Sequence, residues 1–174
     1  GTSAILAATK TISAIASVQH ILEQKICPHS EMNGAHGLIN IAKIQGGEAI
    51  NIIPEHCEVL LGIRPMPGES LSDIRTLLED SIHHALKHTN VQTQWELIQE
   101  APPMLTKEGT TLEQFIKATL PNSTSIGLPF ATDGGCFEVL GSNPIICGPG
   151  SINQAHKADE FISKKELISY SNSL

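Results

Sequence analysis

One histidine, His156, ends the run Gly148-Pro149-Gly150-Ser151-Ile152-Asn153-Gln154-Ala155-His156, and Asp159 and Glu160 follow it closely. The run lies between the apolar stretch Pro144–Cys147 and a helix expected from about Ser163. A loop built this way can hold an imidazole in one orientation at the carboxyl end of a strand, where open α/β sheets place their sites. Neutral imidazole is a common metal ligand, and Asp159 or Glu160 offers an acceptor for its other ring nitrogen. A loop histidine bonded only to backbone is the plainer alternative.

Three further places carry groups suited to binding. Arg64 ends an alternating stretch and is stiffened by Pro65, so its guanidinium can offer a bidentate fork to a carboxylate. A surface arginine paired with an acidic neighbour such as Glu58, six residues back on the same face, is the plainer alternative. Asn51, in Asn51-Ile52-Ile53-Pro54, has a side-chain amide able to hold a carboxylate oxygen, or to bond its own turn. In Thr132-Asp133-Gly134-Gly135 the glycines would let backbone N–H groups approach a ligand, with polar edges from Thr132 and Asp133. An ordinary turn fits that stretch too.

Other candidates are weaker. His84 and His88 have i, i+4 spacing with His83 beside them, but no HExxH glutamate accompanies them, and they read as surface residues. His20, His29, His36 and His56 are scattered. Ser151 lacks the Gly-x-Ser-x-Gly elbow, and no cysteine stands in a protease signature.

The elements that must position these groups follow from periodicity and caps. Residues 3–24 read as a helix capped by Ser3, with Ile5, Ile12, Ile15, Ile21 and Leu22 as its apolar stripe. Leu38–Ile44 reads as a strand, Gly46-Gly47 as a turn and Ala49–Ile53 as a short extended piece. In the next strand Cys57, Val59, Leu61 and Ile63 share one face. Pro65 and Pro67-Gly68 end it, and Ser70-x-x-Asp73 opens a helix to about Leu86 with Leu71, Ile74, Leu78, Ile82 and Ala85 inward. Val91, Thr93, Trp95 and Leu97 alternate as in a half-buried strand. The order α-β-β-α-β is that of a split-βαβ sandwich without its first strand.

Ala101-Pro102-Pro103 marks a boundary, giving expected domains of residues 1–101 and 102–174. Beyond it, Thr110-x-x-Glu113 caps a helix, and Pro144–Cys147 reads as a buried strand flanked by helices. The expected fold is therefore an α+β module followed by a piece of an α/β layer.

Composition bounds the rest. The 174 residues can bury a sizeable core, which must be aliphatic because the chain has one Trp, one Tyr and four Phe. A formal net charge of -7 argues against nucleic acid or an anionic membrane as partner. The four cysteines form no CxxC pair, which points to a reduced, cytoplasmic protein. No stretch is expected to be long and apolar enough to span a bilayer.

The Gly148–His156 run resembles the C-terminal signature of the acetylornithine deacetylase, succinyl-diaminopimelate desuccinylase and aminoacylase metallopeptidase family. Three stretches extend the likeness. They are Asn40–Gly47 with Asn51-Ile52-Ile53-Pro54, the strand Ile63-Arg64-Pro65-Met66-Pro67-Gly68, and Gly1–Ala8 as the start of a lid helix. The resemblance implies an incomplete ferredoxin-like lid, or dimerisation, domain followed by the C-terminal part of an α/β zinc-peptidase catalytic domain. It implies His156 as a metal ligand, Arg64 and Asn51 as holders of a substrate carboxylate, and Thr132, Asp133 and Gly134 as substrate-lining residues.

It also implies a homodimer formed through the lid and a pair of zinc ions, or cobalt, that activate water for attack on an amide. The remaining metal ligands, the general base and an oxyanion histidine belong to segments that have no match here. The expected activity is hydrolysis of an N-acylated amino acid by the intact parent enzyme. N-acetylornithine, yielding ornithine and acetate for arginine biosynthesis, is the first reading. A related desuccinylase or dipeptidase, or a non-catalytic dimerisation fragment, is the alternative, and this chain alone is expected to be inactive.

Overall fold

The computed structural model describes residues 1–25, 27, 32, 35–121, 123–128, 130 and 132–173; His29 lies outside them. The chain divides into two compact units, Gly1–Pro103 with Ile126–Ala131, and Met104–Ser125 with Thr132–Leu174.

In the first unit, helix α1 (Ala4–Glu23) is followed by strands β1 (Leu38–Gly46) and β2 (Cys57–Arg64) and by helix α2 (Leu71–Leu86). Local sequence sets the helix starts. The Ser3 hydroxyl accepts from Leu6 N and the Ser70 hydroxyl from Asp73 N, each satisfying an orphan donor of the first turn. The two strands pair antiparallel from Leu38↔Arg64 to Gly46↔Cys57, with a bulge at Ala42 between Ile41 and Lys43. Helix α1 packs on both strands and α2 packs along α1, burying Ile15, Val18, Leu22, Ile74, Leu78 and Ile82 in one cluster with Ile39. Val59, Leu61 and Ile63 close this core from β2, as their shared parity requires.

Four expectations need correction. The α1 stripe is rotated: Ile5 and Ile21 are exposed, while Ala7, Ala8, Ala14 and Val18 turn inward. Small alanines let α1 approach its neighbours closely, which a pattern read from isoleucines alone misplaces. Second, α1 is long and apolar enough, by length and composition, to cross a membrane, with a mean hydropathy of 1.3. Packing against α2 and the sheet buries 33% of that apolar window.

Third, residues 49–53 form a turn, with Ile52 N donating to Ala49 O, instead of an extended piece. Fourth, residues 91–97 join no sheet. Val91 and Trp95 still pack on the core, and Arg75 of α2 stacks over the Trp95 ring at 6.0 Å, but Leu97 is exposed. The physical reason is topological. In a split-βαβ sandwich the strand preceding the first helix lies inside the sheet, and among the described residues no strand precedes α1. A cleft of about 300 Å³, lined by Leu61, Ile63, Leu97 and Pro103 among others, separates β2 from the stretch after Trp95.

One polar side chain ties helix to sheet. Gln19 Oε1 accepts from Ile39 N at 2.6 Å, and its Nε2 donates to Gly37 O at 3.4 Å. Replacing Gln19 with leucine leaves the part-buried Ile39 N–H without its acceptor, so a loss of about 1–3 kcal/mol is expected in urea unfolding. A change within error would show that water replaces the amide at no cost.

The second unit holds helices α3 (Thr111–Thr119), α4 (Gly134–Val139) and α5 (Lys164–Ser171), with a short 3-10 turn at Ile152–Gln154. Thr110 and Ser163 cap α3 and α5 as their spacing predicts. The Glu113 carboxyl is held below its ordinary value by Lys117 and by the backbone N–H of Gly109. No strand occurs among the described residues of this unit, so the α/β layer expected around Pro144–Cys147 is corrected: Ile146 and Cys147 are exposed. An apolar run becomes a buried strand only where a sheet accepts its backbone.

Candidate functional site

Arg64 is the last residue of β2, exposed, and paired in register with Leu38. Its direction is set by strand alternation, since Ile63 faces the core and Arg64 the opposite side. Directly beyond it the chain makes a tight turn. Glu69 N donates to Met66 O at 2.9 Å, with Pro67 second and Gly68, at φ 87°, third in the turn. That is the type II pattern, in which the third position requires a positive φ.

Asn51 sits in the exposed turn between β1 and β2, flanked by the exposed Ile50, Ile52 and Ile53. The turn is anchored to the start of α1 through Ala4 N donating to Pro54 O at 2.8 Å. Asn51 and Arg64 therefore stand at opposite ends of the hairpin. The strand from Cys57 to Arg64, at about 3.3 Å per residue, spans about 23 Å. A single chain does not bring these two groups onto one carboxylate.

In the second unit, Thr132 and Asp133 introduce α4, so the expected glycine loop is the first turn of a short helix. Gly134 N donates to Thr132 Oγ1 at 3.1 Å. Gly134 and Gly135 are buried, and a Cβ at Gly134 would run into Met104 Sδ and Thr132 Oγ1. The bare Cα of Gly134 is what permits this close packing. Asp133 is exposed and makes no capping bond to its own helix.

His156 is exposed and has φ 61°, the one non-glycine residue with positive φ among those described. Such backbone persists where the surroundings fix it, and two features do so here. The Ser151 hydroxyl caps the preceding 3-10 turn, and His156 N donates to Glu160 Oε2 at 3.2 Å. Glu160 thus takes the backbone N–H of His156, whereas the sequence suggested its ring nitrogen. Downstream, Tyr170 Oη donates to Cys147 O at 3.1 Å, tying α5 to the residues that lead into the loop.

The donor set for a metal is short. Zinc sites use three or four N, S or O ligands, and among the described residues no group of three or more His, Cys, Asp or Glu side chains converges. His156 by itself does not make a zinc site. His83, His84 and His88 are all exposed, as their polar helix face predicts. Glu69 escaped notice in the sequence, although an acidic residue between a Pro-Gly turn and the cap Ser70 is a local signal for it.

The chain is 30% identical over 134 residues to proteins named acetylornithine deacetylase from Salmonella arizonae, Salmonella paratyphi B and Salmonella newport. Each alignment covers 73% of this chain and 33% of the relative, so the chain spans about a third of the length of these curated relatives. Residues 1–90, the stretch that folds as α1-β1-β2-α2, match the peptidase dimerisation domain. This chain belongs to the peptidase dimerisation domain family.

Proposed function

We propose that these residues work as the dimerisation lid and carboxyl-terminal portion of a metal-dependent amidohydrolase acting on an N-acylated amino acid, with N-acetylornithine the first candidate. The observation that carries the reading is Arg64, an exposed arginine at a strand end with a rigid turn directly after it. It suits the α-carboxylate that every N-acylated amino acid retains. The relatives named acetylornithine deacetylase support the acyl group and the amino acid.

Asn51 contributes from a second copy, because the two ends of one hairpin are too far apart to share a ligand. His156 supplies one metal ligand, while Thr132, Asp133 and Gly134 line the substrate side of the second unit. Zinc, or cobalt, would polarise the amide carbonyl and acidify a bound water once its other ligands were supplied. A reducing, cytoplasmic setting goes with this reading, supported by the unbridged Cys27, Cys57, Cys136 and Cys147. The match of residues 1–90 to the peptidase dimerisation domain supports a second reading, a non-catalytic dimerisation module.

Calorimetry with N-acetyl-L-ornithine and with N-acetylputrescine, its analogue without the carboxylate, tests the proposal. The first ligand should bind about tenfold or more tightly than the second, the contribution of one charge-assisted pair. Equal affinities would remove Arg64 from substrate binding. With zinc or cobalt added, the chain alone should not turn over. Near-stoichiometric metal with turnover would show a complete site within these residues and overturn the reading of a shared one.

A further inference from the structure

The turn after Arg64 holds this residue at the end of β2, and that turn is itself held by a carboxylate. Glu69 is mostly buried, with 16% of its side chain exposed. Its Oε2 accepts from Met66 N at 2.9 Å, and its Oε1 faces Lys25 Nζ, at the end of α1, at 3.6 Å. A Cβ added at Gly37 would lie 2.6 Å from Oε2, so the carboxylate rests against the bare Cα of residue 37. Gly37 immediately precedes Leu38, the register partner of Arg64. One carboxylate therefore joins three pieces of chain: the end of α1, the entry to β1 and the turn leaving β2.

We propose that Glu69 is a positioning residue whose carboxylate latches the Met66–Glu69 turn and thereby fixes the direction in which Arg64 presents its guanidinium. Pro65 transmits the constraint, since its ring fixes φ and leaves few backbone freedoms between Arg64 and Met66. Restraint before binding matters for recognition, because a preordered arginine loses less freedom when it grips a planar carboxylate. The part of this inference that concerns ligand affinity rests on the substrate role of Arg64 proposed above. The latch itself does not.

Amide hydrogen exchange and 15N relaxation on the full chain test the latch. Glu69→Ala should make the Met66 amide exchange about tenfold faster or more, the weight of a charge-assisted hydrogen bond. It should also increase the motion of Arg64 Nε–Hε. Glu69→Gln keeps an acceptor oxygen for Met66 and should rescue both readouts. Gly37→Ala, which leaves Glu69 in place but pushes its carboxylate aside, should reproduce the alanine phenotype. Core amides at Val18 and Leu78 report global stability.

Unchanged exchange at Met66 would overturn the proposal. Parallel acceleration of the core amides would also overturn it, since Glu69 would then be a general stabiliser. N-acetyl-L-ornithine affinity is read separately. If Glu69→Ala loosens Arg64 without changing affinity, and Arg64→Ala is equally silent, the latch stands and the substrate reading falls.

Discussion

Leu78→Ala is expected to destabilise the first unit by about 3–5 kcal/mol, the upper part of the range for a leucine lost from a packed core. Leu78 is completely buried, and it lies in one cluster with Ile15, Val18, Leu22 and Ile74. The loss combines the transfer free energy of the removed atoms with the cavity left behind. Collapse around that cavity is limited because α1 is anchored to the hairpin and α2 packs along α1. A domain stability of about 5–15 kcal/mol makes this a large fraction of the whole. Urea unfolding followed by Trp95 fluorescence reads it directly, since the chain's single tryptophan packs against the same cluster. Leu6→Ala is the control: Leu6 is 66% exposed, and its loss should stay within about 0.5 kcal/mol. A cost below about 1 kcal/mol at Leu78 would mean that the α1–α2 layer is not what holds the unit together.

The sequence made the helix starts of both units legible because their determinants are local. Ser3, Ser70, Thr110 and Ser163 each bond within three residues of themselves, so a reader of the chain meets cap and recipient together. Strand β2 was legible for a related reason, its alternation being complete within eight residues. What failed was everything that depends on a distant partner. Val91–Leu97 alternates as a strand should, yet a strand exists only beside another, and none flanks it among the described residues. Pro144–Cys147 fails in the same way.

The site divides along the same line. Arg64 at a strand end and His156 in a capped loop follow from nearby residues. That Asn51 and Arg64 lie at opposite ends of the hairpin follows only from the pairing register. The contact of Glu69 with Lys25 and Gly37 joins residues more than thirty positions apart, and composition gives no hint of it.

The separation of Asn51 from Arg64 has a consequence that mixing experiments can read. If both hold one substrate carboxylate, each site draws Asn51 from one copy and Arg64 from another, which membership in a dimerisation family makes available. Asn51→Ala and Arg64→Ala should then each weaken N-acetyl-L-ornithine binding by about tenfold or more when studied alone. Mixed and allowed to exchange subunits, the two variants should regain sites. Within each mixed dimer one site combines the intact Asn51 of one chain with the intact Arg64 of the other, and its companion site carries both losses. Random exchange makes half of the dimers mixed, so about a quarter of all sites should recover wild-type affinity. The double variant mixed with wild-type chain gives the opposite result, because every site in its mixed dimers lacks one partner. Calorimetric stoichiometry distinguishes the patterns without any turnover assay. No recovery on mixing, with exchange verified by mass-tagged chains, would mean that the two residues do not share a ligand across copies. Arg64 would then have to hold the carboxylate alone, and the tip bearing Asn51 and its exposed isoleucines would serve some purpose other than substrate binding.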